Sequence, residues 1–288
     1  MIRPKKRLAQ GSVAKHYDEL DAFYREIWGE HVHHGLWHTG AEDSGQATLQ
    51  LIEYVAARAS LQANERVCDV GCGYGGTAHF LAQQYGAQVT GVTISPEQYT
   101  YARAKDPLTT NPSYLLQDWL KNTIPAETFD VAVGIESTEH MADLPYAISE
   151  AYRVLRPGGR IVICAWLANE SLRSWEVDLL IEPICREGRL YGMGTASDYS
   201  ALLGQAGFVV DSVDDISQHV WRTWPICLKR IYHKLWSDAR YRRYLRHPAQ
   251  ENRIFLATML RIWAAYRTGS MRYGVFAAHR PVVTHAVG

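Results

Sequence analysis

Two groups of residues in this chain have the types and spacing to do chemistry. The first is the run Val67-Cys-Asp-Val-Gly-Cys-Gly-Tyr-Gly-Gly76. Glycine admits φ > 0 and lets a backbone approach a ligand closely. Asp69, just before the first glycine, would repel a pyrophosphate but would accept a hydrogen bond from an ammonium group. The second group is Glu136, Glu139 and His140. Histidine suits proton removal near neutral pH, and a glutamate could stabilise a carbocation and then take its proton. Glu139 and His140 could equally cap and order a loop. His33-His34 has the residue types of a metal site. Adjacent histidines rarely point the same way, however, and no second ligand cluster accompanies them, so no metal is expected. The five cysteines are odd in number and form no CxxC pair, which argues against disulfides and a cysteine zinc site.

The elements that must position these groups follow from periodicity. Helical spacing of apolar residues predicts helices over 13–28 and 47–60, joined by a glycine- and histidine-rich connection over 31–40. From Arg66 the chain alternates. Strands are predicted over 66–70, 87–94, 113–117, 129–135 and 160–166, with helices over 75–85, 95–105 and 143–155. The turn Arg156-Pro-Gly-Gly is expected to end the last of these helices. A helix over 197–206 and strands over 208–214 and 273–280 complete the core, and 218–269 reads as a mostly helical insertion. Such alternation means a largely parallel sheet with helices on both faces and a ligand crevice at the strands' carboxyl ends. The spacing Gly71, Gly73, Gly75 is not GxGxxG, which weighs against a dinucleotide oxidoreductase.

The stretches "VCDVGCGYGG", "FDVAVGIESTEHM" and "AYRVLRPGGRIVIC" resemble the motifs of the class I S-adenosylmethionine-dependent methyltransferases. Within that family "GVTISPEQ" is similar to the second-strand pattern of cyclopropane synthases and of sterol, tocopherol and geranyl diphosphate C-methyltransferases. "HYDELDAFYREIWGEHVHHGLW" is similar to the start of the tocopherol methyltransferases. The resemblance implies an α/β, Rossmann-like, seven-stranded mainly parallel sheet with a helical N-terminal cover and a helical insertion before the last strand. It also implies S-adenosyl-L-methionine as cofactor. One methyltransferase domain over 1–288 is expected: cover 1–62, cofactor core 63–168, the rest of the core in 169–217 and 270–288, and a lid insertion over 218–269.

Carried over residue by residue, the resemblance puts Tyr17 and His34-Gly35 near the methionine end of the cofactor. Asp69, Gly71, Cys72 and Gly73 would hold the amino-acid part. Thr93, Ile94 and Gln98 would hold the ribose without a charged residue, and Asp118 and Trp119 would flank the adenine. Ile135 and Glu136 would lie beside the methyl group, with Glu136 or His140 as base. Core packing is the competing reading for Tyr17 and Trp119.

The acceptor is legible only as a class. The 288 residues carry zero net charge, yet the stretch 219–250 holds eight Lys/Arg against Asp238 alone. Of the chain's 9 Trp, six fall in the cover and in the 218–269 insertion, together with 7 of its 17 Tyr. Aromatic surface suits an apolar small molecule such as a prenyl, sterol-like or aromatic metabolite, methylated at carbon, oxygen or nitrogen. Arg240, Arg242 and Arg243 suit an anionic head group, and the same basic surplus suits an anionic membrane surface or a subunit contact. A lipid methylene transferase and a non-catalytic cofactor-binding subunit are the alternative functions. No appended basic module points to nucleic acid. Without a secretory signal or an apolar span, a cytoplasmic setting in secondary metabolism is expected.

Overall fold

The computed structural model describes residues 1–6, 8, 11–29, 31–105, 110–246 and 255–282. The side chains of Tyr244 and Arg246, and the stretch 247–254 of the predicted insertion, lie outside the described part.

Two helices, α1 (Ser12–Ile27) and α2 (Ser44–Arg58), precede the sheet. The second starts at a capping box in which Asp43 accepts from Gln46 N–H while Gln46 reaches back to Asp43 N–H. Then come β1 (Arg66–Val70), α3 (Gly76–Tyr85), β2 (Gln88–Thr93), α4 (Pro96–Lys105), β3 (Ser113–Leu116) and β4 (Phe129–Ile135). After these follow α5 (Leu144–Val154), β5 (Leu155–Ala168), α6 (Ser174–Glu176), a π-helical stretch Val177–Ile181, and α7 (Glu182–Glu187). The chain closes with α8 (Ala196–Gln205), β6 (Val209–Asp215), α9 (Ser217–Val220), α10 (Thr223–Ser237), α11 (Ala239–Arg246), α12 (Phe255–Thr268) and β7 (Met271–His279).

The seven strands lie in the order β3-β2-β1-β4-β5-β7-β6, parallel except for β7, which runs antiparallel to both neighbours. The order reverses between β1 and β4, which opens a crevice at their carboxyl ends. Both the glycine turn and Glu136 follow directly from those two strand ends. Boundaries agree with the periodicity to within a few residues, with one exception. The Arg156-Pro-Gly-Gly segment is taken up in β5, because Leu155 already pairs with Phe129 across a register shift.

Apolar residues fill both faces of the sheet, as a parallel sheet demands. Leu51, Ile52, Val55 and Leu81 cover one face; Ile148, Val154, Tyr199 and Leu203 cover the other. A third cluster joins α7, α10 and α12 to the end of α1 through Ile184, Trp224, Cys227, Ile262 and Ile27. The cover helix is held onto the core by polar contacts. Ser95 Oγ donates to Asp18 at 2.6 Å, and Tyr74 Oη, from the glycine turn, donates to Asp21 at 2.8 Å. Among the described residues no helix is long and apolar enough to cross a membrane.

Candidate active site

A cavity of about 560 Å³ occupies the crevice. Its walls include α1 (Val13, Ala14, Tyr17), the glycine turn (Gly71, Gly73) and the ends of β2 and β4 (Thr93, Ile135, Glu136). The turn is shaped by conformation and space together. Gly71 has φ 80°, and a Cβ there would collide with Ser137. Gly73 has φ 54° and meets nothing nearer than Gln98 Nε2 at 4.0 Å, so its backbone is open to a ligand. Asp69 stands behind the turn, 2% exposed, and its Oδ2 has no hydrogen-bond partner. Burial pushes its carboxyl up to about 7, against the opposing effect of a hydrogen bond from the Ala78 backbone. An orphaned buried carboxylate oxygen beside an open glycine turn fits the ammonium end of the expected cofactor.

Farther along, the Thr93 hydroxyl donates to Gln98 Oε1 at 2.9 Å, which orients the amide with Nε2 as its donor end. Both residues line the cavity, as do Ile94, 41% exposed, and Asp118, whose carboxylate also caps the turn at Leu120 N–H. The cavity wall thus carries uncharged hydrogen-bonding groups, an apolar side chain and a carboxylate acceptor. The residues present therefore fit a nucleoside with an amino-acid tail. Trp119 lines the same cavity, but its indole N–H donates to Ala147 O and its ring belongs to the core cluster beneath α5.

The end of β4 departs from expectation. Glu136 is not available as a base. Its Oε1 accepts from His34 N–H at 2.7 Å, His34 Nδ1 at 3.0 Å and Tyr273 Oη at 2.8 Å, while Oε2 accepts from Trp166 Nε1 at 2.7 Å. Burial alone would raise this carboxyl; His34, through its charge when protonated and through its ring and backbone N–H, together with His33, outweighs it and holds it at about 2. Its backbone sits at φ 53°, a left-handed conformation unusual for glutamate, secured by Glu136 N–H donating to Cys164 O. His34, 1% exposed, is fixed as one tautomer. Its Nε2 accepts from the Trp224 indole N–H at 2.7 Å, and an indole nitrogen only donates, so Nδ1 carries the proton. Tyr266 Oη also reaches that Nε2, at 3.2 Å.

Glu136 thus positions a hub joining β4, β5, β7, α10 and α12. Glu136→Gln would set an amide NH₂ against one of its four donors. We expect destabilisation of roughly 2–4 kcal/mol in chemical denaturation. In the native protein the carboxylate's contribution is present above the unfolded pKa near 4.5 and is lost as pH falls toward about 2.

His140 has one ring nitrogen on the carbonyl of Arg189 and the other on a single phenol. Its Nδ1 lies 3.2 Å from Arg189 O, a pure acceptor, so that nitrogen carries the hydrogen. Nε2 is then the lone-pair end, and Tyr17 Oη donates to it at 3.0 Å. Burial lowers His140 to about 4 and raises Tyr17, so the pair is neutral imidazole and neutral phenol at pH 7. Beside them Glu139 is buried, and desolvation pushes it up to about 7 although it accepts from Trp166 N–H and Thr138 Oγ1. A second, smaller chamber of about 60 Å³ opens behind this trio. It shares Tyr17, Val32, Glu136 and His140 with the large cavity and is otherwise walled by residues such as Trp28, Trp166, Trp224, Leu190 and Ile262. Tyr17 and His140 therefore stand at the junction of two spaces.

Other expectations need correcting. His34 lines the small chamber rather than the large cavity. Gly35 lines neither; a Cβ there would lie 2.7 Å from Ala47 and 2.8 Å from Trp37, so glycine serves packing. The Cys72 side chain is buried toward Gly91, away from the cavity wall. Arg240, Arg242 and Arg243 reach neither cavity. Arg240 pairs with Glu26 and Asp238, and Arg242 caps the Leu235 and Trp236 carbonyls. The His33 ring turns to His31 while His34 turns to Glu136. Trp166, Tyr273, Trp224 and Tyr266 join the site with no motif of their own; their only trace in the sequence is the aromatic excess.

Comparison with known proteins gives the family and the fold. The family model described as mycolic acid cyclopropane synthetase matches residues 4–273. The chain is 30% identical to tocopherol O-methyltransferase, chloroplastic, of Arabidopsis thaliana, over 94% of this chain and 82% of that one. It is 32% identical to 27-O-demethylrifamycin SV methyltransferase of Amycolatopsis mediterranei, over 76% and 81% respectively. The fold matches that of mycolic acid cyclopropane synthase CmaA1, solved with SAH and CTAB, at a TM-score of 0.79 and 18% identity over 96% of this chain and 99% of that one.

Proposed function

Since the chain belongs to the mycolic acid cyclopropane synthetase family and is an S-adenosylmethionine-dependent methyltransferase, we propose that it methylates an apolar, hydroxyl-bearing small molecule at oxygen, with His140 as the base. The observation that carries this reading is the unprotonated Nε2 of a half-buried histidine at the junction of two cavities, one bordered by the glycine turn, Thr93 and Gln98 and one walled by aromatics. The O-methyltransferase and the rifamycin methyltransferase among its relatives act on molecules of that kind by name.

Asp69, Gly71 and Gly73 would hold the amino-acid end of the cofactor, and Thr93, Ile94, Gln98 and Asp118 its nucleoside. When bound, the cofactor supplies an already activated methyl group, so the protein need only align, desolvate and deprotonate. The acceptor hydroxyl would give its proton to His140 Nε2, directly or through the Tyr17 hydroxyl in a concerted shift, as the new O–C bond forms and the donor's S–CH₃ bond breaks to leave a neutral thioether. Nδ1–H to Arg189 O holds the imidazole in the tautomer this requires. Trp28, Trp166 and Trp224 exclude water. At about 60 Å³ the inner chamber admits only a molecule or two of water, so an acceptor of prenyl size must move that wall.

A second reading rests on Glu139. A buried carboxyl near pH 7 in the inner chamber could take a proton from a carbocation after methyl transfer to an alkene, as C-methylation or methylene transfer requires. A labelled-methyl screen over prenylated phenols, macrocyclic phenols, sterols and unsaturated fatty acids separates the two. We expect label on a hydroxyl oxygen; label on alkene carbon alone would sink the His140 assignment. All five cysteines are free and buried, which supports a reducing compartment such as the cytoplasm.

A further inference from the structure

Outside the active site, α10 and α12 each turn an apolar stripe to solvent. On α10, Lys229, Tyr232 and Trp236 recur at i, i+3 and i+7, with Tyr232 67% and Trp236 83% exposed. On α12, Leu260, Trp263 and Arg267 repeat the spacing, with Leu260 51% and Trp263 39% exposed. The helices run antiparallel side by side, because Trp224 at the start of α10 and Tyr266 at the end of α12 meet on His34. The opposite side of α12, through Thr258 and Ile262, walls the inner chamber. One helix thus separates the exposed apolar face from the acceptor space.

The charges on this face are of one sign. Together α10, α11 and α12 hold nine Lys/Arg and no Asp or Glu. Several of the nine are used internally: Arg230 donates to Ile27 O, Lys234 and Arg240 pair with Glu26, and Arg261 pairs with Glu187. Lys229, Arg243 and Arg267 stay exposed, as does Arg222 beside α10, and among the described residues no acid pairs with them. Exposed indole and phenol rings flanked by unpaired cations are the composition of a surface that rests at a lipid headgroup layer. A second copy of the chain is a poorer occupant, since an isologous contact would set these cations against themselves.

We propose that the α10–α12 face docks the protein peripherally on an anionic lipid surface, with Tyr232, Trp236, Leu260 and Trp263 entering the interface and Lys229 and Arg243 meeting lipid phosphates. The docking rests on this outer face alone; its use, delivery of an apolar acceptor across α12, rests on the function proposed above. The test is co-sedimentation of the full chain with phosphatidylcholine vesicles, with and without phosphatidylglycerol. The wild type should bind only the anionic vesicles. Lys229→Gln with Arg243→Gln should weaken partitioning by roughly fivefold per cation removed, and Trp236→Ser with Trp263→Ser should weaken it at least as much. All these positions are exposed, so thermal melts should match the wild type. Activity on a detergent-dispersed acceptor should be unchanged while activity on vesicle-embedded acceptor falls. Equal binding to both vesicle types, or to neither, overturns the proposal. So does a wild-type dimer in sedimentation velocity that Trp236→Ser disperses, which would make the face a subunit contact. Because vesicle binding is scored without acceptor or turnover, it can fail while the methyl-transfer reading stands, and the reverse.

Discussion

Asp69→Asn is expected to weaken S-adenosylmethionine binding about 100-fold in calorimetry while raising the melting temperature of the ligand-free protein. Both effects have one origin. The carboxylate is 2% exposed with an unpartnered Oδ2, so it awaits a cationic donor. Removing the charge from such a buried pair costs about 2–5 kcal/mol of binding. Without the ligand the same charge is a burden. Burial raises the folded-state pKa to about 7 from an ordinary 3.8, so between those values the folded protein binds more protons than the unfolded chain. Stability of the ligand-free protein therefore falls as pH rises from about 4 to 7, by up to roughly 4 kcal/mol, and the Asp69→Asn variant escapes that loss. Cofactor affinity runs the other way. It should rise with pH through about 7 and then level off, since only the ionised carboxylate attracts an ammonium group. Unchanged affinity in Asp69→Asn, or a wild-type affinity flat from pH 5 to 8, would remove Asp69 from the cofactor site.

The second large effect concerns His140. His140→Ala should lower kcat by roughly 10²–10⁴, the usual worth of a positioned general base, and leave cofactor affinity within a factor of two or so. The pH profile distinguishes the two candidate bases. Burial holds His140 near 4, so a reaction that uses it stays at full rate down to about pH 5 and fails only as the imidazole protonates. Glu139 is pushed up to about 7, so a reaction that needs its carboxylate would already be falling below pH 7.5. Measurements of kcat at saturating cofactor avoid the separate titration of Asp69. Tyr17→Phe should cost less than His140→Ala, since it removes a relay and a donor but leaves Nε2 in place. A profile breaking near 7 that becomes flat in Glu139→Gln would transfer the role to Glu139.

Nearly all of the sheet could be read from the chain, because β1, β2 and β4 are short apolar runs bounded by glycine or proline and polar turns. The positions of the residues proposed for the cofactor follow for the same reason: Asp69, Gly71, Gly73, Thr93, Gln98 and Asp118 all lie at or just beyond strand ends, so fixing the strands fixes them. Gly35 and Cys72 sit inside motif-like stretches, yet their neighbours in space, Ala47 and Gly91, decide their role. Glu136 shows the limit most clearly. Its residue type and place suit a base, but the four donors that occupy it come from positions 34, 166 and 273, and no local pattern reports that meeting. The cations of the late insertion have fates that the sequence does not separate. As a sum they suggest a grip on an anion, whereas Arg240 and Arg242 are paired with Glu26, Asp238 and carbonyls on their own side of the molecule.

The two chambers share Tyr17, Val32, Glu136 and His140, but the inner one also draws on the second half of the chain. Residues bordering the large cavity come mainly from the first half, whereas much of the inner wall comes from positions 188–190, α10 and α12. Substitutions at Leu190, Trp224 or Ile262 can therefore alter which molecule is accepted without touching the glycine turn or Gln98. Such a partition lets selection explore new acceptors while the shared donor chemistry is kept under constraint. A library randomised at these three positions should yield altered acceptor preference at nearly constant donor affinity.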